Sequence, residues 1–315
     1  MSPWATGRSS IAAIHRIARR VALCLSLIVV GLAFQSSQKG GSIAFGPQLI
    51  REGKLDEALE VFRQGVEAVP KSGLANTGAG VALDLLGRYP EARKYFSRAI
   101  KAASTPLEKA EAQRSMAISY GFARDCRGAE KYDRAAYEYF LATSDFLNAG
   151  EVADELGRLC LDAGDWNTAY AWYQRGHDAG LQEPNIPPDH RDLWDFRWAH
   201  ARARIAVRRG KVEEARKYIA TARAILSKGK IPTQEPYFPY LTGYVAFYAG
   251  DYRAALMELQ NALQADPFIQ CLIGQSYEML GDKEKALEYY RKAASTTAHS
   301  VPAAFARPFA RTKLE

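Results

Sequence analysis

In the stretch Gly73–Ala103, GLANTGAGVALDLLGRYPEARKYFSRAIKAA, apolar residues recur at helical spacing on both sides of Gly87, which predicts two short amphipathic helices hinged at that glycine. The neighbouring segments repeat the pattern. Registered on the second helix, the chain places alanine at Ala58, Ala92, Ala129, Ala169, Ala215, Ala255 and Ala286, with spacings of 34, 37, 40, 46, 40 and 31. Twelve residues earlier stand Gly46, Gly80, Ala117, Gly157, Ala203, Gly243 and Gly274; seven residues later stand Gly65, Ala99, Ala136, Gly176, Ala222, Ala262 and Ala293. Small residues in three aligned columns let two antiparallel helices approach closely, while larger neighbours fill the gaps between hairpins. Between the helices come Gly53, Gly87, Gly164, Gly210, Gly250 and Gly281, with Arg124 as the exception. These positions suit a left-handed residue that ends a helix, and the acidic or polar lead-in of GDYRAAL and GDKEKAL suits the start of the next one.

A small residue eight places into the unit, alanine at twenty, a small residue at twenty-seven and often proline at thirty-two is the pattern of the tetratricopeptide repeat family, which the chain resembles over residues 41–300. Phe62, Phe96 and Tyr173 take the family's bulky place, Pro70 and Pro267 take its proline, and Asp133 departs from the bulky preference. The resemblance implies an all-α, right-handed superhelical solenoid of about seven antiparallel helix-turn-helix units. Units 1–4 are expected over 43–183 and units 5–7 over 196–300. Prolines 184, 187 and 188 predict a Pro-rich loop at 184–195, and GKIPTQEP at Gly229–Pro236 predicts a second break. The tail 301–315 reads as a cap, broken by Pro302 and Pro308, that docks Phe305 and Phe309 on the last hairpin.

The leader changes the meaning of the charge. Arg8, Arg16, Arg19 and Arg20 precede the apolar run Val21–Phe34, and no acidic residue appears before Glu52, which is the profile of an export signal over 1–33. The alternative is a membrane anchor formed by 11–34, although the apolar run is shorter than the roughly 20 residues a spanning helix needs. QSSQKGGS within 34–42 has the composition of a flexible linker. The formal charge of +7 falls to +3 once the leader's four arginines are set aside, which argues against a phosphate-binding surface.

Chemistry-bearing clusters are few. Cys126, Cys160 and Cys271 are too widely spaced for a zinc knuckle or a redox pair; Cys160 and Cys271 read as buried small hydrophobes, and the fold is expected not to depend on disulfides. His190, Asp192, Asp195 and His200 fall close together, but their spacing is not that of a helical metal site. No phosphate loop, nucleophile elbow or paired carboxylates stand out. The reading is therefore a non-enzymatic protein without catalytic residues, metal or cofactor.

The resemblance further implies a concave binding face on the first helices. Carried onto units 4–6, the family's groove positions are Glu151, Asp154 and Arg158, then Arg197, His200, Arg204 and Arg208, then Tyr237, Tyr240, Tyr244, Phe247 and Tyr248. An acidic, basic and aromatic succession would read a partner's extended segment by charge and anchor it by ring burial. The family's clamp for chaperone tails is missing, since Thr77, Val81, Arg114 and Ile118 stand at its places. Two alternatives use the same residues differently: the row Arg197, Arg204, Arg208 beside aromatics as a nucleic-acid surface, or an enzyme built on 184–200. The expected partner is another protein or peptide, in the periplasm or outside the cell, with contact to a membrane only through an uncleaved leader.

Overall fold

The structure, a computed structural model, describes residues 43–315; the leader and linker predicted at 1–33 and 34–42 lie outside them. Among the described residues the secondary structure is entirely helical. Seven hairpins follow in order: α1 (43–51) with α2 (Leu55–Ala68), α3 (Gly73–Leu85) with α4 (Tyr89–Ala102), α5 (Pro106–Phe122) with α6 (Cys126–Ala142), and α7 (Phe146–Ala163) with α8 (Trp166–Gly180). Then come α9 (Pro188–Arg208) with α10 (Val212–Leu226), a 3-10 turn at Pro232–Tyr237 leading to α11 (Phe238–Tyr248) with α12 (Tyr252–Leu259), α13 (Pro267–Met279) with α14 (Lys283–Ala294), and a closing helix α15 (Val301–Thr312).

The small-residue columns act as the spacing implied. A Cβ at Gly46 would stand 2.3 Å from the ring of Phe62, at Gly80 2.7 Å from Phe96, and at Gly157 2.8 Å from Tyr173. The bulky side chain of each second helix thus seats directly on the backbone of its first helix, a contact dense enough that one methyl group would displace it. At the turns, Gly87, Gly164 and Gly250 hold φ of 84°, 96° and 87°, and Arg124 takes the same left-handed region at 56°. Asp125, Asp165, Asp251 and Asp282 then cap the following helices, each carboxylate accepting an N–H of the first turn.

Three expectations are corrected. Pro188 opens α9 rather than interrupting it, so 188–195 is helix and the connection shrinks to the residues just before; proline at the first helical position has no N–H to lose. Cys126 and Cys160 form a disulfide, with Cα atoms 4.7 Å apart, and among the described residues Cys271 is the one free thiol, and it is buried. They meet because the start of α6 lies beside the end of the antiparallel α7. The tail, finally, is not broken by its prolines: Pro302 lies in the first turn of α15 and Pro308 within it.

The tail caps the last hairpin and goes further. Phe305 packs on Phe268 and Phe309 on Tyr290, at centroid distances of 5.3 and 6.1 Å. The opposite, alanine-rich face of α15 (Ala303, Ala304, Ala306, Ala310) is fully buried, and α15 also lies against α5 and α7. His299, just before it, bonds the buried Asp84 Oδ2 of α3 at 2.9 Å, and Arg307 Nε donates to the Leu85 carbonyl at 3.0 Å. The solenoid therefore curls until its carboxy-terminal helix enters the concave face of its own amino-terminal half.

Candidate functional site

The first helices α5, α7, α9 and α11 point polar side chains inward, and the curl of the array, roofed by His299–Pro302, closes them around a cavity of about 550 Å³. Of the twelve expected groove residues, Glu151, Asp154, Arg158, Arg197, His200, Arg204, Tyr237 and Tyr240 line it. The walls are charge pairs. Arg197 Nη2 reaches Glu151 Oε1 at 2.8 Å, and Arg114 grips Glu155 with Nε and Nη2 at 3.1 and 2.8 Å.

Deeper in, the side chains are crowded and incompletely satisfied. Arg204 Nη2 donates to the Tyr173 hydroxyl at 2.9 Å while its Nε has no partner. Arg158 lies over the rings of Tyr240 and Phe268, 5.6 and 5.0 Å from their centroids, and its Nε and Nη2 are unpartnered; Asp162 lies 3.9 Å away and Asp266 lines the same cavity. His200 Nε2 and the Tyr240 hydroxyl are likewise buried without a partner. Burial, with Arg204 and Arg158 adjacent, holds the His200 imidazole well below its ordinary range, so it stays neutral. Burial pushes the carboxyl of Asp154 up to about 7 against the opposing pull of Arg197.

Four expected residues fall elsewhere. Arg208 donates to the Tyr244 hydroxyl at 3.2 Å and covers the Tyr248 ring at 4.5 Å, and Tyr244, Phe247 and Tyr248 pack within the core of the carboxy-terminal hairpins. Of the aromatic strip only Tyr237, which is 44% exposed, stands open to solvent; Tyr240 and Tyr244 are buried because α11 is flanked by α9 and α13. The expected basic row is also dismantled, since Arg197 is paired with Glu151 while Arg204 and Arg208 bond tyrosines. The insertion residues disperse along α9: His190 meets Glu183, Asp192 meets Lys228, Asp195 meets His177, and His200 turns into the cavity. Gln234, Asp266, Ile269 and Ser300–Pro302 join the lining without having been foreseen, because they arrive from the second half of the curl.

A family profile described as tetratricopeptide repeat matches residues 43–105 and 240–301. Over those two segments the chain is similar to tetratricopeptide repeats. The matched segments hold the first two and the last two hairpins, and most of the cavity lies between them. The Photosystem I assembly protein Ycf3 of Synechococcus sp. (strain CC9902) is 27% identical over 103 residues, 32% of this chain and 60% of that protein. Its counterpart in strain CC9605 is 26% identical over the same share, so the chain spans about 60% of the length of the curated relatives it matches. Among solved structures, a tetratricopeptide repeat protein from Parabacteroides merdae ATCC 43184 is similar with a TM-score of 0.50 and 14% identity, covering 88% of this chain and 98% of that one. The apo form of RapI is similar with a TM-score of 0.55 and 12% identity, over 88% and 98% of the two chains. At these identities the likeness is one of fold.

Proposed function

We propose that the protein is an exported, non-catalytic binding scaffold that holds an extended segment of a partner protein along the concave face of units 4–6. The observation that carries this reading is the convergence of polar first-helix residues from three units on one concavity, whose lining includes the exposed Tyr237 and the Glu151–Arg197 pair. An exposed tyrosine and a charge pair in one lining supply the anchor and the polar rim that protein recognition uses. The name of the curated relative, an assembly protein, agrees with a scaffold role. Export is supported by two independent features: the basic-then-apolar leader of the sequence, and the Cys126–Cys160 disulfide, since such bonds persist mainly in oxidising compartments.

Crosslinking in the producing cell, followed by mass spectrometry, tests both parts. The unaltered full chain is expected to give a discrete crosslinked protein, and Tyr237→Ala combined with Arg197→Glu to lose it by about tenfold or more with helicity retained. Equal yields from both proteins would overturn the groove reading. Alkylation of the native, unreduced protein after unfolding is expected to label Cys271 and to spare Cys126 and Cys160, whereas labelling of Cys126 and Cys160 would remove the argument for an oxidising compartment.

A further inference from the structure

The partner reading uses Tyr237 and the Glu151–Arg197 pair and leaves the floor of the cavity unexplained. Arg158 and Arg204 are the feature that needs an account. Each guanidinium carries five N–H donors in a fixed planar fork, and donors buried without acceptors cost more than the same donors in water. Arg158 Nε and Nη2 and Arg204 Nε have no acceptor, and two further polar atoms at the same place, the Tyr240 hydroxyl and His200 Nε2, have none either. Asp162 stays 3.9 Å from Arg158, too far for a hydrogen bond, and no carboxylate of the described residues lies within salt-bridge distance of Arg204. The other two arginines of the cavity are engaged, Arg114 by Glu155 and Arg197 by Glu151. Open cationic donors are therefore concentrated at the floor, between α7, α9 and α11.

We propose that this cavity is a binding site for a small organic carboxylate, its anionic end held by Arg158 and Arg204 with the Tyr240 hydroxyl donating beside them. The volume of about 550 Å³ falls within the range of small-molecule sites. A planar carboxylate matches the guanidinium fork and offers enough lone pairs for several of the open donors. A phosphate fits less well. Asp154 and Asp266 line the same space, so a dianion meets like charge where a monoanion balances the cationic floor. Tyr173, Phe196, Ile269 and Val301 supply the apolar wall for the carbon skeleton. Val301 belongs to the roof, so the acid would touch both halves of the curl at once. This site is separate in its residues from Tyr237 and the Glu151–Arg197 pair and stands or falls without them.

The test is the thermal midpoint of the full chain in about 50 mM sodium propionate, used as the smallest probe with a carboxylate and an apolar body, against propionamide, inorganic phosphate and sodium chloride at matched ionic strength. Propionate is expected to raise the midpoint; the isosteric amide, phosphate and chloride are expected not to. Arg158→Met, which keeps the packing on Tyr240 and Phe268 while removing the cation and its 3.9 Å pairing with Asp162, is expected to lose the response to propionate. If that variant does not fold, Arg204→Met takes its place, and the acid-versus-amide comparison on the unaltered protein decides without any variant. The proposal is overturned by an absent shift, by an equal shift with propionamide or phosphate, or by a shift that survives in the arginine variants. None of these outcomes touches the crosslink that depends on Tyr237, so failure of either reading is recognised separately.

Discussion

Phe62 and Asp133 occupy the same place in their hairpins, and the contrast between them divides the molecule. In the first hairpin Phe62 is wedged between Gly46 and Gly78, where an added Cβ would stand 2.3 Å from the ring on either side. In the third, the place belongs to a carboxylate that is 1% exposed with both oxygens unpartnered. From there to the sixth hairpin the interior holds Asp162, His200 and Arg204, with Arg158 partly buried beside them, whereas the end hairpins are filled mainly by rings on glycine and alanine, and their buried Asp84 and Ser276 are hydrogen-bonded. A stacked array derives its stability from each unit and its neighbours. The regular ends therefore supply cohesion, and the irregular middle gives some of it up for polar groups that a ligand can use.

The contrast is broken most directly at its apolar end. Phe62→Ala is expected to cost about 3–5 kcal/mol of stability, at the upper range for core truncation because two glycines face the ring and no side chain is available to collapse into the space. Urea unfolding followed by circular dichroism measures it. A loss under about 1 kcal/mol would mean that the end hairpins are not the cohesive part.

The second test inverts the sign at the equivalent place. Asp133→Leu is expected to stabilise the protein by about 1–3 kcal/mol near neutral pH, because it removes a buried, unsatisfied carboxyl. Burial, with Glu155 adding to it, raises the Asp133 carboxyl well above its ordinary range. A raised carboxyl contributes stability that is fully present below the ordinary carboxylate pKa and is lost as pH climbs through the folded value. The gain from leucine should accordingly be larger at about pH 8 than at about pH 4. Destabilisation at both pH values would show that Asp133 is needed for packing and would dissolve the comparison.

The same division explains what the sequence made legible. The turn glycines, the three small columns and even the exceptional Arg124 follow from local backbone and packing requirements that recur in every unit, so the all-helical solenoid could be read from them. The inward direction of Glu151, Asp154, Arg158, Arg197, His200 and Arg204 follows from helical periodicity and was legible too. The tyrosines of α11 misled because periodicity gives a side chain's direction and says nothing of what covers it. Tyr244 points inward and is sealed by Phe268 and Arg208. The contribution of His299–Pro302 depends on small rotations summed over seven hairpins, for which no residue carries a local signal. Cys126 and Cys160 meet because the start of α6 lies beside the end of the antiparallel α7, a pairing set by helix ends in successive units rather than by any local residue pattern.

The smallest effect separates the cavity from the rest of the middle. With the Asp154 carboxyl pushed up to about 7 by burial, its contribution to stability is fully present below the ordinary carboxylate pKa and disappears as pH rises through about 7. Asp154→Asn should therefore flatten the melting profile between about pH 4 and about pH 7 relative to the unaltered protein, with little change at the acid end. His200 titrates with the opposite sign: its depressed imidazole contributes stability above its ordinary pKa, and that contribution is lost as pH falls. Because it is present in both proteins, it cancels in their difference. A difference profile that is flat in this window would place the pH response outside the cavity, in Asp133 or Asp162, whose carboxyls burial also raises.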